Sequence, residues 1–442
     1  MTIHPSRWAL AALSLAAITF AGRSARADAP GLFGLGARSA GLARAVVAAG
    51  DPVDAPRENP AAAAAPGLRL RLGYGYGALG LRFDGADAGV ERASGVHLAA
   101  QYGRAAGPVD VGLALALHFP DQYLAKIGFR PASEPQFVLY ESSLQRVTFD
   151  LVAAVRWRWL SIGGGISAGL TVGGQGTRFD LAQDAHGAGA DAAIDDALPY
   201  RLAPIVGARA DLGRVAIAAA FRGPMALDLR LHSFNTVALQ DNPLNGTTTV
   251  RVSGSSGYDP AVVTVGARAR VVGGLFAMAS IEYAVYRATP PPVAEVVIDV
   301  KLGTTPGQRE ARFVEPRFRD TLTPRVGLEL GPSPAPVDAS APARRAPIRR
   351  WVARAGYAVA PSPVPAQIGF TTYADATRHE IAVGAGVHLG RLGGVDLTLD
   401  AAGQLHLLAP RSVQKQSLAL PYARHTIGGE IVYGTATLEA SW

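Results

Sequence analysis

Apolar and polar residues alternate with a period of two along most of the chain beyond residue 66. In 395–406 the odd positions carry Val, Leu, Leu, Ala, Gly and Leu, whereas the even positions carry Asp, Thr, Asp, Ala, Gln and His. Segments 147–159 and 68–76 repeat the pattern; in the second, Leu and Tyr share one face and Arg and Gly the other. Because successive side chains of a strand point to opposite faces, the pattern predicts half-buried β-strands.

Fifteen such segments are predicted as strands, one of which we expect to be a loop or a strand outside the main sheet. Many are ten residues or longer, which exceeds the ~5–6 residues usual in soluble sheets and suits the ~9–11 residues of a tilted membrane strand. Their boundaries are 68–79, 95–104, 108–118, 145–158, 160–172, 200–211, 213–231, 260–271, 273–287, 293–302, 322–331, 350–360, 378–390, 393–408 and 426–442.

Aromatic residues near the ends of these strands resemble the interfacial girdles of membrane barrels. The faces opposite the apolar ones mix Gly, Ala, Arg, Asp and His, which suits a wet or tightly packed lumen. We therefore predict an all-β fold, a transmembrane antiparallel β-barrel of about 14 strands over residues 67–442. The aromatic residues in question are Trp157, Trp159, Trp351, Tyr286 and Tyr433.

The first 27 residues have the organisation of a secretory signal peptide. His4 and Arg7 precede an apolar stretch, and Ala25-Arg-Ala27 fits a small-x-small cleavage site. The apolar run 8–22 is shorter than the ~20 residues of a spanning helix, so export is favoured over a membrane anchor. The chain has no cysteine, which excludes a disulfide scaffold and cysteine-based zinc sites.

Residues 28–66, here called the hatch, do not alternate. Segment 37–49 is helix-prone and is stopped by Gly50-Asp-Pro52, and a second short helix is predicted from Asn59, a favoured N-cap followed by Pro60. The small, mostly neutral residues favour a plug inside the lumen over a segment that hangs outside the barrel.

Composition narrows the function classes further. The 442 residues are 49% hydrophobic and 17% charged, with a formal net charge of +7, which excludes disorder. The arginines are scattered on strand faces among Asp and Glu, so there is no basic stripe for nucleic acid. Mean hydropathy is positive (+0.16) without a long apolar run, as expected when about half of each strand faces lipid.

Enzymatic signals are weak. Gly165-Ile-Ser-Ala-Gly169 matches the nucleophile-elbow pattern, but it lies in a glycine-rich strand with no helix after it. We expect a protein that is not an enzyme and that needs no cofactor or metal ion. A membrane-embedded lipase or esterase remains an alternative, as does a structural or adhesive surface barrel whose loops bind partners.

Several motifs occur in one order along the mature chain, at 36–45, 51–54, 59–61, 320–329, 354–357 with 361–365, and 375–379 with 384–386. In series they resemble the FadL-like outer-membrane transporters of long-chain fatty acids and other hydrophobic compounds, and the resemblance spans the mature chain. It implies a fourteen-stranded barrel in the bacterial outer membrane with the hatch in its lumen. It also implies passive uptake of hydrophobic ligands, which leave through a lateral opening in the wall, with no cofactor and no energy coupling.

Candidate hatch or gating residues are Asn59, Pro60, Ala61 and Arg38, although simple helix capping accounts equally well for Asn59 and Pro60. The final strand ends on Trp442, which resembles the signal read by the barrel-assembly machinery. We expect a monomer in contact with outer-membrane lipid and lipopolysaccharide.

Candidate ligand contacts are Lys126 and Phe129, because this lysine is a lone cation in the apolar stretch 123–129. Arg378 is a further candidate in a segment that matches the family, or else a structural lumen charge paired with Asp375.

Other segments are predicted as loops or irregular strands. Segments 123–129 and 137–140 either offer an apolar surface to ligands or pack on the barrel rim, and 183–199 and 332–349 are predicted loops. Irregular pairing, which a lateral opening needs, is predicted at glycines 163–165 or 73, 75 and 77.

Overall fold

A computed structural model describes most of the chain after the predicted signal peptide, which lies outside the described residues. The described residues are 29–122, 132–140, 146–170, 173–184, 187–197, 200–239, 245–290, 293–302, 305–312, 317–332 and 350–442.

Fourteen long strands form an antiparallel barrel, and the two-residue strand β2 (Ala86–Asp87) extends the end of the first. The barrel strands are β1 (Gly67–Phe83), β3 (Ala93–Ala106), β4 (Val109–Pro120), β5 (Thr148–Trp157), β6 (Leu160–Leu170), β9 (Tyr200–Leu212), β10 (Val215–Arg222), β13 (Ala261–Val272), β14 (Leu275–Val285), β17 (Thr321–Leu330), β18 (Trp351–Ala360), β19 (Arg378–Leu392), β20 (Val395–Gln414) and β21 (Arg424–Ser441).

The barrel closes because β1 pairs with β3 on one side and with β21 on the other. Short turns join the strands at one end, where both ends of the barrel sequence also lie, and longer connections join them at the other. We call these the short-turn end and the long-loop end. The predicted loop 332–349 comes between β17 and β18, whose adjoining ends lie at the short-turn end. Residues 333–349 of this loop lie outside the described residues.

Burial alternates along the strands as predicted. In β1, Leu72 and Tyr74 are exposed on the outside of the barrel while Arg71 is buried inside it. The outward residues around the barrel are largely apolar, so the wall presents a surface for lipid. No helix among the described residues is long and apolar enough to cross a membrane.

The predicted aromatic girdle is only partly correct. Trp157, Trp159 and Trp351 are about half exposed on the outside. Tyr433 instead points into the lumen and is buried, and Tyr286 is partly buried in a 3-10 helix, Tyr286–Ala288. Tyr433 shares its parity with Thr435, Thr437 and Glu439 and lies in the middle of β21, so it belongs to the inward face and not to a girdle.

Six further strands form a second sheet beyond the long-loop end. Three hairpins build it, each inserted between neighbouring barrel strands. The prediction of one strand outside the barrel is confirmed, because 293–302 is β15. The strands are β7 (Gly173–Asp184), β8 (Gly187–Ala197), β11 (Met225–Leu239), β12 (Gly246–Asp259), β15 (Val293–Leu302) and β16 (Thr305–Arg312).

Two predictions made for this region were wrong. Segment 183–199, predicted as a loop, contains the whole of β8, which pairs with β7. Segment 213–231, predicted as one strand, divides into β10 in the barrel and β11 in the outer sheet. The division occurs at Gly223, whose N–H donates to the carbonyl of Pro204 outside the strand ladder.

The hatch lies inside the lumen, as predicted. Its helices are short: α1 (Ala29–Phe33), α2 (Ala37–Gly41) and a 3-10 helix (Pro60–Ala64). Helix α2 packs on β18 to β21, and the 3-10 helix packs on β3 to β6 and β9 across the lumen. The predicted helix over 37–49 ends at residue 41, because Ala43 and Arg44 adopt left-handed backbone conformations that bend the chain.

Candidate functional site

Wall glycines make room for the hatch. A Cβ added at Gly163 would lie 2.5 Å from the backbone carbon of Pro60, and one at Gly207 would overlap the Asn59 amide. On the opposite wall, Gly41 of the hatch meets Gly384 backbone to backbone. The hatch backbone therefore rests directly against the strands.

The glycines predicted to be sites of irregular pairing pair regularly instead. Residues 163–165 are in register with both β5 and β9. Glycines 73, 75 and 77 are in register with β3 and β21, and the Tyr433 side chain lies over Gly75. Gly163, Gly75 and Gly77 make room for groups in the lumen, whereas Gly164 and Gly165 lie against neighbouring strands.

Asn59 holds the centre of the hatch. Its side-chain oxygen accepts from the Ala61 N–H (3.0 Å), which is the predicted N-cap of the helix that begins with Pro60. Its amide nitrogen donates to the carbonyls of Val47 in the hatch (3.0 Å) and Ala208 in the wall (3.2 Å). Asn59 thus caps a helix and also ties the hatch to the barrel.

Two glutamines of the wall bind hatch carbonyls. Gln404 donates to Phe33 and Ala40, both at 2.9 Å, and Gln101 donates to Ala63 and Ala65. These bonds satisfy backbone groups that the short helices leave without internal partners. The sequence alone did not single out either glutamine.

A group of paired charges joins the hatch to the wall near the short-turn end; we call it the ion-pair belt. Arg71 of β1 is its centre, with contacts to Asp54 (2.5 Å), Asp51 (3.1 Å) and Glu439 (2.6 Å). Asp51 and Asp54 belong to the hatch, and Glu439 is the register partner of Arg71 on β21. One guanidinium therefore connects three chain segments.

The belt continues through Arg38, the predicted gating cation. Its Nε donates to Glu329 (2.8 Å) and its Nη1 lies 3.5 Å from Asp51. Glu329 also accepts from Arg354 (3.2 Å), which pairs in turn with Asp400. Arg38 thus lies within a continuous chain of buried charges.

The two hatch carboxylates of the belt differ in their affinity for a proton. Burial alone would raise the pKa of Asp51, but Arg71 and Arg38 outweigh it and hold that pKa below its usual range. Burial raises the pKa of Asp54 to about 7, with Asp51 and Glu58 adding repulsion. Asp54 is therefore the first of the two to take up a proton as pH falls.

The lumen at the long-loop end is filled by apolar side chains, here called the apolar cluster. Phe33 of α1 stacks on Tyr433, with ring centroids 4.2 Å apart, and meets His406 edge-on. Residues 137–140 are buried in this cluster, which supports packing on the barrel over an exposed surface for ligands. The cluster includes Leu32, Phe33, Leu79, Leu81, Phe83, Phe137, Val138, Leu139, Tyr140, Phe318, Tyr373, Leu408, Val413, Ile427, Ile431 and Tyr433.

Between the belt and the apolar cluster lies a third group, the arginine cluster. Glu282 of β14 accepts from Arg325 of β17 (3.0 Å) and from Arg44 of the hatch (3.2 Å). Glu380 of β19 lies within electrostatic range of both arginines and of Arg378. Three guanidinium groups thus face Glu282 and Glu380, and Asp375 lies within electrostatic range of Arg378 as well.

Several buried atoms of the arginine cluster have no hydrogen-bond partner among the described residues. They are Nε and Nη1 of Arg325, Nε of Arg378, Nε of Arg44 and Oε1 of Glu380. Unpartnered buried polar groups are costly, so these donors mark a place for water or for a polar group of a ligand.

A cavity of about 110 Å³ lies beside this cluster. Arg44, Arg57 and Glu58 of the hatch line one side, and the wall supplies Ile205, Phe221 and Glu282 among others. The cavity combines an apolar surface with charged groups, as pockets for small molecules commonly do.

The structure brings together only some of the predicted ligand residues. Arg378 donates to the Tyr140 hydroxyl (3.3 Å), which donates in turn to Asp375 (3.3 Å), so the predicted pair is bridged by a tyrosine. Lys126 and Phe129 lie outside the described residues. Arg325 and Glu380 were not selected from the sequence. Both residues occupy alternate positions on the polar face of a strand, and this pattern could have indicated that they point inward.

The G-x-S-x-G match does not form a nucleophile elbow. Its Ser167 lies within strand β6, and the next described element is strand β7, not a helix. Among the described residues, no three His, Asp or Glu side chains are grouped to hold a metal ion.

Comparison with known proteins identifies the architecture. No protein-family profile matches the sequence, and no curated protein matches it. Solved structures do match. A FadL homologue from Pseudomonas aeruginosa is 14% identical, with 96% of this chain and 99% of that chain covered and a TM-score of 0.51.

Two channels match equally well. The monoaromatic hydrocarbon channel CymD is 12% identical, with 94% and 99% of the two chains covered and a TM-score of 0.51. The toluene transporter TbuX of Ralstonia pickettii is 13% identical, with 92% and 98% covered and a TM-score of 0.51. The chain has the FadL fold. The fold predicted from the resemblance is confirmed over nearly the whole chain.

Proposed function

We propose that this protein is a FadL-like channel of the bacterial outer membrane, not an enzyme, that takes up hydrophobic compounds passively. The observation that carries the proposal is an apolar cluster inside a lipid-facing barrel, above a hatch that fills the lumen. The similar structures include channels named for toluene and monoaromatic hydrocarbons, which supports a hydrophobic substrate class.

The arginine cluster favours a ligand that carries a carboxylate, such as a long-chain fatty acid. Its three guanidinium groups carry unpartnered N–H groups, which suit one anionic head group. The alkyl chain would lie against the apolar cluster, into which Tyr140, the partner of Arg378, is packed. In this role Arg378 and Arg325 contact the head group.

Uptake by cells that carry or lack the gene tests the proposal, with a radiolabelled long-chain fatty acid and toluene as separate substrates. We expect gene-dependent uptake, faster for the fatty acid. Arg325→Gln should slow fatty-acid uptake and leave toluene uptake unchanged, whereas Arg82→Gln, on the exposed outer face, should change neither. Absence of gene-dependent uptake for any hydrophobic compound would overturn the proposal.

The hatch is proposed to be a plug, with Asn59, Pro60, Ala61 and Arg38 governing its position. Deletion of the hatch, residues 28–66, should raise the permeability of the outer membrane to small hydrophilic antibiotics. Unchanged permeability in a correctly inserted barrel would contradict this role. The residues beside Pro60 and Asn59 on the wall are glycines, so their contacts leave little space for solutes.

The proposal also covers export, assembly, oligomeric state and the exit of the ligand. Residues 1–27 direct export, and Trp442, whose N–H donates to the Leu68 carbonyl at the barrel seam, is read by the assembly machinery. The protein is a monomer surrounded by lipid and lipopolysaccharide, and ligands leave by a lateral opening in the wall.

The six-stranded outer sheet favours a second candidate function, a structural or adhesive surface barrel. Replacing the hairpins 173–197, 225–259 and 293–312 by short turns separates the two functions. A channel retains uptake after this change, whereas an adhesin loses its binding to surfaces or partner cells.

A further inference from the structure

Every connection at the short-turn end carries an arginine. These connections join β3 to β4, β5 to β6, β9 to β10, β13 to β14, β17 to β18 and β19 to β20. One arginine lies within three residues of each turn, and all of these arginines are exposed except Arg270, which is partly buried. We call them the rim arginines: Arg104, Arg158, Arg214, Arg270, Arg350 and Arg391.

The carboxylates near the short turns already have arginine partners. Asp110 and Asp211 each pair with an arginine that is not a rim arginine, and Asp396 lies 4.0 Å from Nε of Arg391. The rim therefore carries positive charge that carboxylates of this end do not balance. Four rim arginines form no ion pair with any described residue: Arg104, Arg158, Arg214 and Arg350.

Two rim arginines lie on the lipid-facing side of the barrel. Arg104 shares the outer face of β3 with Tyr102, which is 54% exposed. The guanidinium of Arg158 lies over the ring of Trp157, 5.0 Å from its centroid, and Trp157 is exposed on the outside. Both cations are thus held beside an outward aromatic ring rather than in the lumen.

Apolar side chains are exposed on the same turns. Leu212, Val272 and Leu392 are 57%, 68% and 73% exposed and lie within two residues of a rim arginine. The boundary between lipid head groups and acyl chains covers such side chains, and tryptophans prefer the same level. The three tryptophans of the girdle lie at this end too, so the turns lie within the head-group layer.

The long-loop end has a different charge pattern. Its exposed residues include acids as well as arginines, for example Asp84, Glu91 and Asp121 together with Arg287 and Arg319. The combination of unbalanced arginines with exposed apolar side chains is therefore specific to the short turns. These turns face the periplasm in bacterial barrels, where the surrounding leaflet consists of phospholipid.

We propose that the rim arginines bind the phosphate groups of anionic phospholipids in the leaflet that surrounds the short turns. The planar guanidinium group donates two parallel hydrogen bonds to a phosphate. A head group with net negative charge is favoured, because the cationic group of a zwitterionic lipid would face the same arginines. An acidic protein would satisfy the charges but would not cover the apolar side chains as acyl chains do.

This inference goes beyond the proposed function and does not depend on uptake. It assigns the barrel a lipid preference at one end only, and the bound lipids would fix the depth at which the barrel sits in the membrane.

Tryptophan fluorescence reports on this surface directly. Trp157, Trp159, Trp351 and Trp442 all lie at the short-turn end, and the fifth tryptophan, Trp8, belongs to the predicted signal peptide. The mature protein is reconstituted into phosphatidylcholine vesicles in which a fixed fraction of the lipid is brominated. The brominated lipid is either phosphatidylglycerol or phosphatidylcholine with the same acyl chains. Bromine quenches only tryptophans that it contacts, so the two quenching curves give the ratio of the association constants of the two lipids.

We expect phosphatidylglycerol to associate about fivefold more strongly than phosphatidylcholine, as for one arginine contact per lipid. The triple change Arg104→Gln, Arg158→Gln and Arg214→Gln should bring the ratio close to one. Because the ratio is taken within each variant, altered emission of Trp157 does not affect it.

The matched control removes three exposed cations from the long-loop end and should keep the fivefold ratio. Equal association of the two lipids with the unmodified protein would overturn the inference. A ratio that persists in the rim variant, or that falls equally in the control, would also overturn it, because the preference would then reflect another site or the net charge. The control changes are Arg82→Gln, Arg319→Gln and Arg424→Gln.

Discussion

The lumen is closed at its two ends by different physical means. Near the long-loop end, the apolar cluster holds the hatch through side-chain packing such as the stack of Phe33 on Tyr433. Near the short-turn end, the ion-pair belt holds it through paired charges around Arg71 and Arg38. Apolar contacts are not directional, so a hydrocarbon ligand can replace them at little cost. Buried charges lose much more when a partner leaves.

The two ends of the hatch should therefore differ in mobility. The part that contains α1 lies against contacts that a substrate can take over, whereas Asp51 and Asp54 are fixed to the wall by charge. We therefore expect motion to begin at α1 and the belt to act as the fixed end. Four experiments test this comparison, in order of decreasing expected effect.

Removing the central cation of the belt should have the largest effect. Arg71→Ala leaves Asp51, Asp54 and Glu439 without their shared partner, and we expect a loss of about 3–5 kcal/mol in the free energy of unfolding. Urea unfolding in detergent micelles, followed by tryptophan fluorescence, measures it. The control Arg82→Ala removes an exposed cation from the same strand and should leave the midpoint unchanged. Equal midpoints for both variants would show that the belt does not hold the fold.

Truncating the ring at the other end should cost less and act locally. Phe33→Ala removes a fully buried ring, and we expect a loss of about 3 kcal/mol, the low end for such changes, because the apolar neighbours can relax. Limited proteolysis within residues 29–41 should speed up while the barrel remains resistant. Phe33→Leu, which keeps most of the apolar volume, should restore protection. A barrel that unfolds as a whole would contradict a locally mobile end.

The close fit of the hatch to the wall gives a third test. Gly163→Ala forces a methyl group against the Pro60 backbone, and we expect a cost of about 1–3 kcal/mol and a raised leak of small solutes. Gly164→Ala is the matched neighbour, because its nearest contact would be 3.4 Å away. Equal conductance of the two variants in planar bilayers would argue against a tight plug.

The smallest expected effect is a dependence of local stability on pH at the long-loop end. Burial raises the pKa of Asp375 from 3.8 to about 6. The folded state therefore holds this proton more tightly, so its stabilising effect is complete below about pH 4 and is lost as pH rises through about 6. Hydrogen exchange of residues 361–377 should slow between pH 7 and pH 4, after correction for the intrinsic rate. Asp375→Asn should abolish this change, and a variant that retains it would identify another group as the cause.

Much of the barrel could be predicted from the sequence, because the alternation of apolar and polar residues is a local property of the barrel strands. The cap at Asn59 was also predictable, since it depends on neighbouring residues only. The ion-pair belt was not. Arg38 and Glu329 are 291 residues apart, and their contact depends on strand register and on the placement of the hatch. The inward position of Tyr433 could have been predicted, because this residue shares its parity with Thr435 and Thr437 on the polar face of β21.

The strands of the outer sheet were also difficult to predict from the sequence. Segment 183–199 is rich in Gly, Ala and Asp, which are poor strand formers, yet 187–197 forms β8 by pairing with β7. Tertiary pairing overrides weak local preference there. Likewise the helix-prone residues after position 41 turn instead, because the lumen wall packs around Leu42 and Ala43.

Arg71 has one more consequence, which concerns assembly. It lies on the first barrel strand, and its register partner Glu439 lies on the last, so their contact forms only when the barrel closes. The same guanidinium also binds Asp51 and Asp54, which come before it in the chain. A barrel that closes around a misplaced hatch leaves these acids without a counter-charge. The seam contact and the seating of the hatch therefore share one guanidinium, and this charge group is complete only when the barrel is closed around a correctly placed hatch.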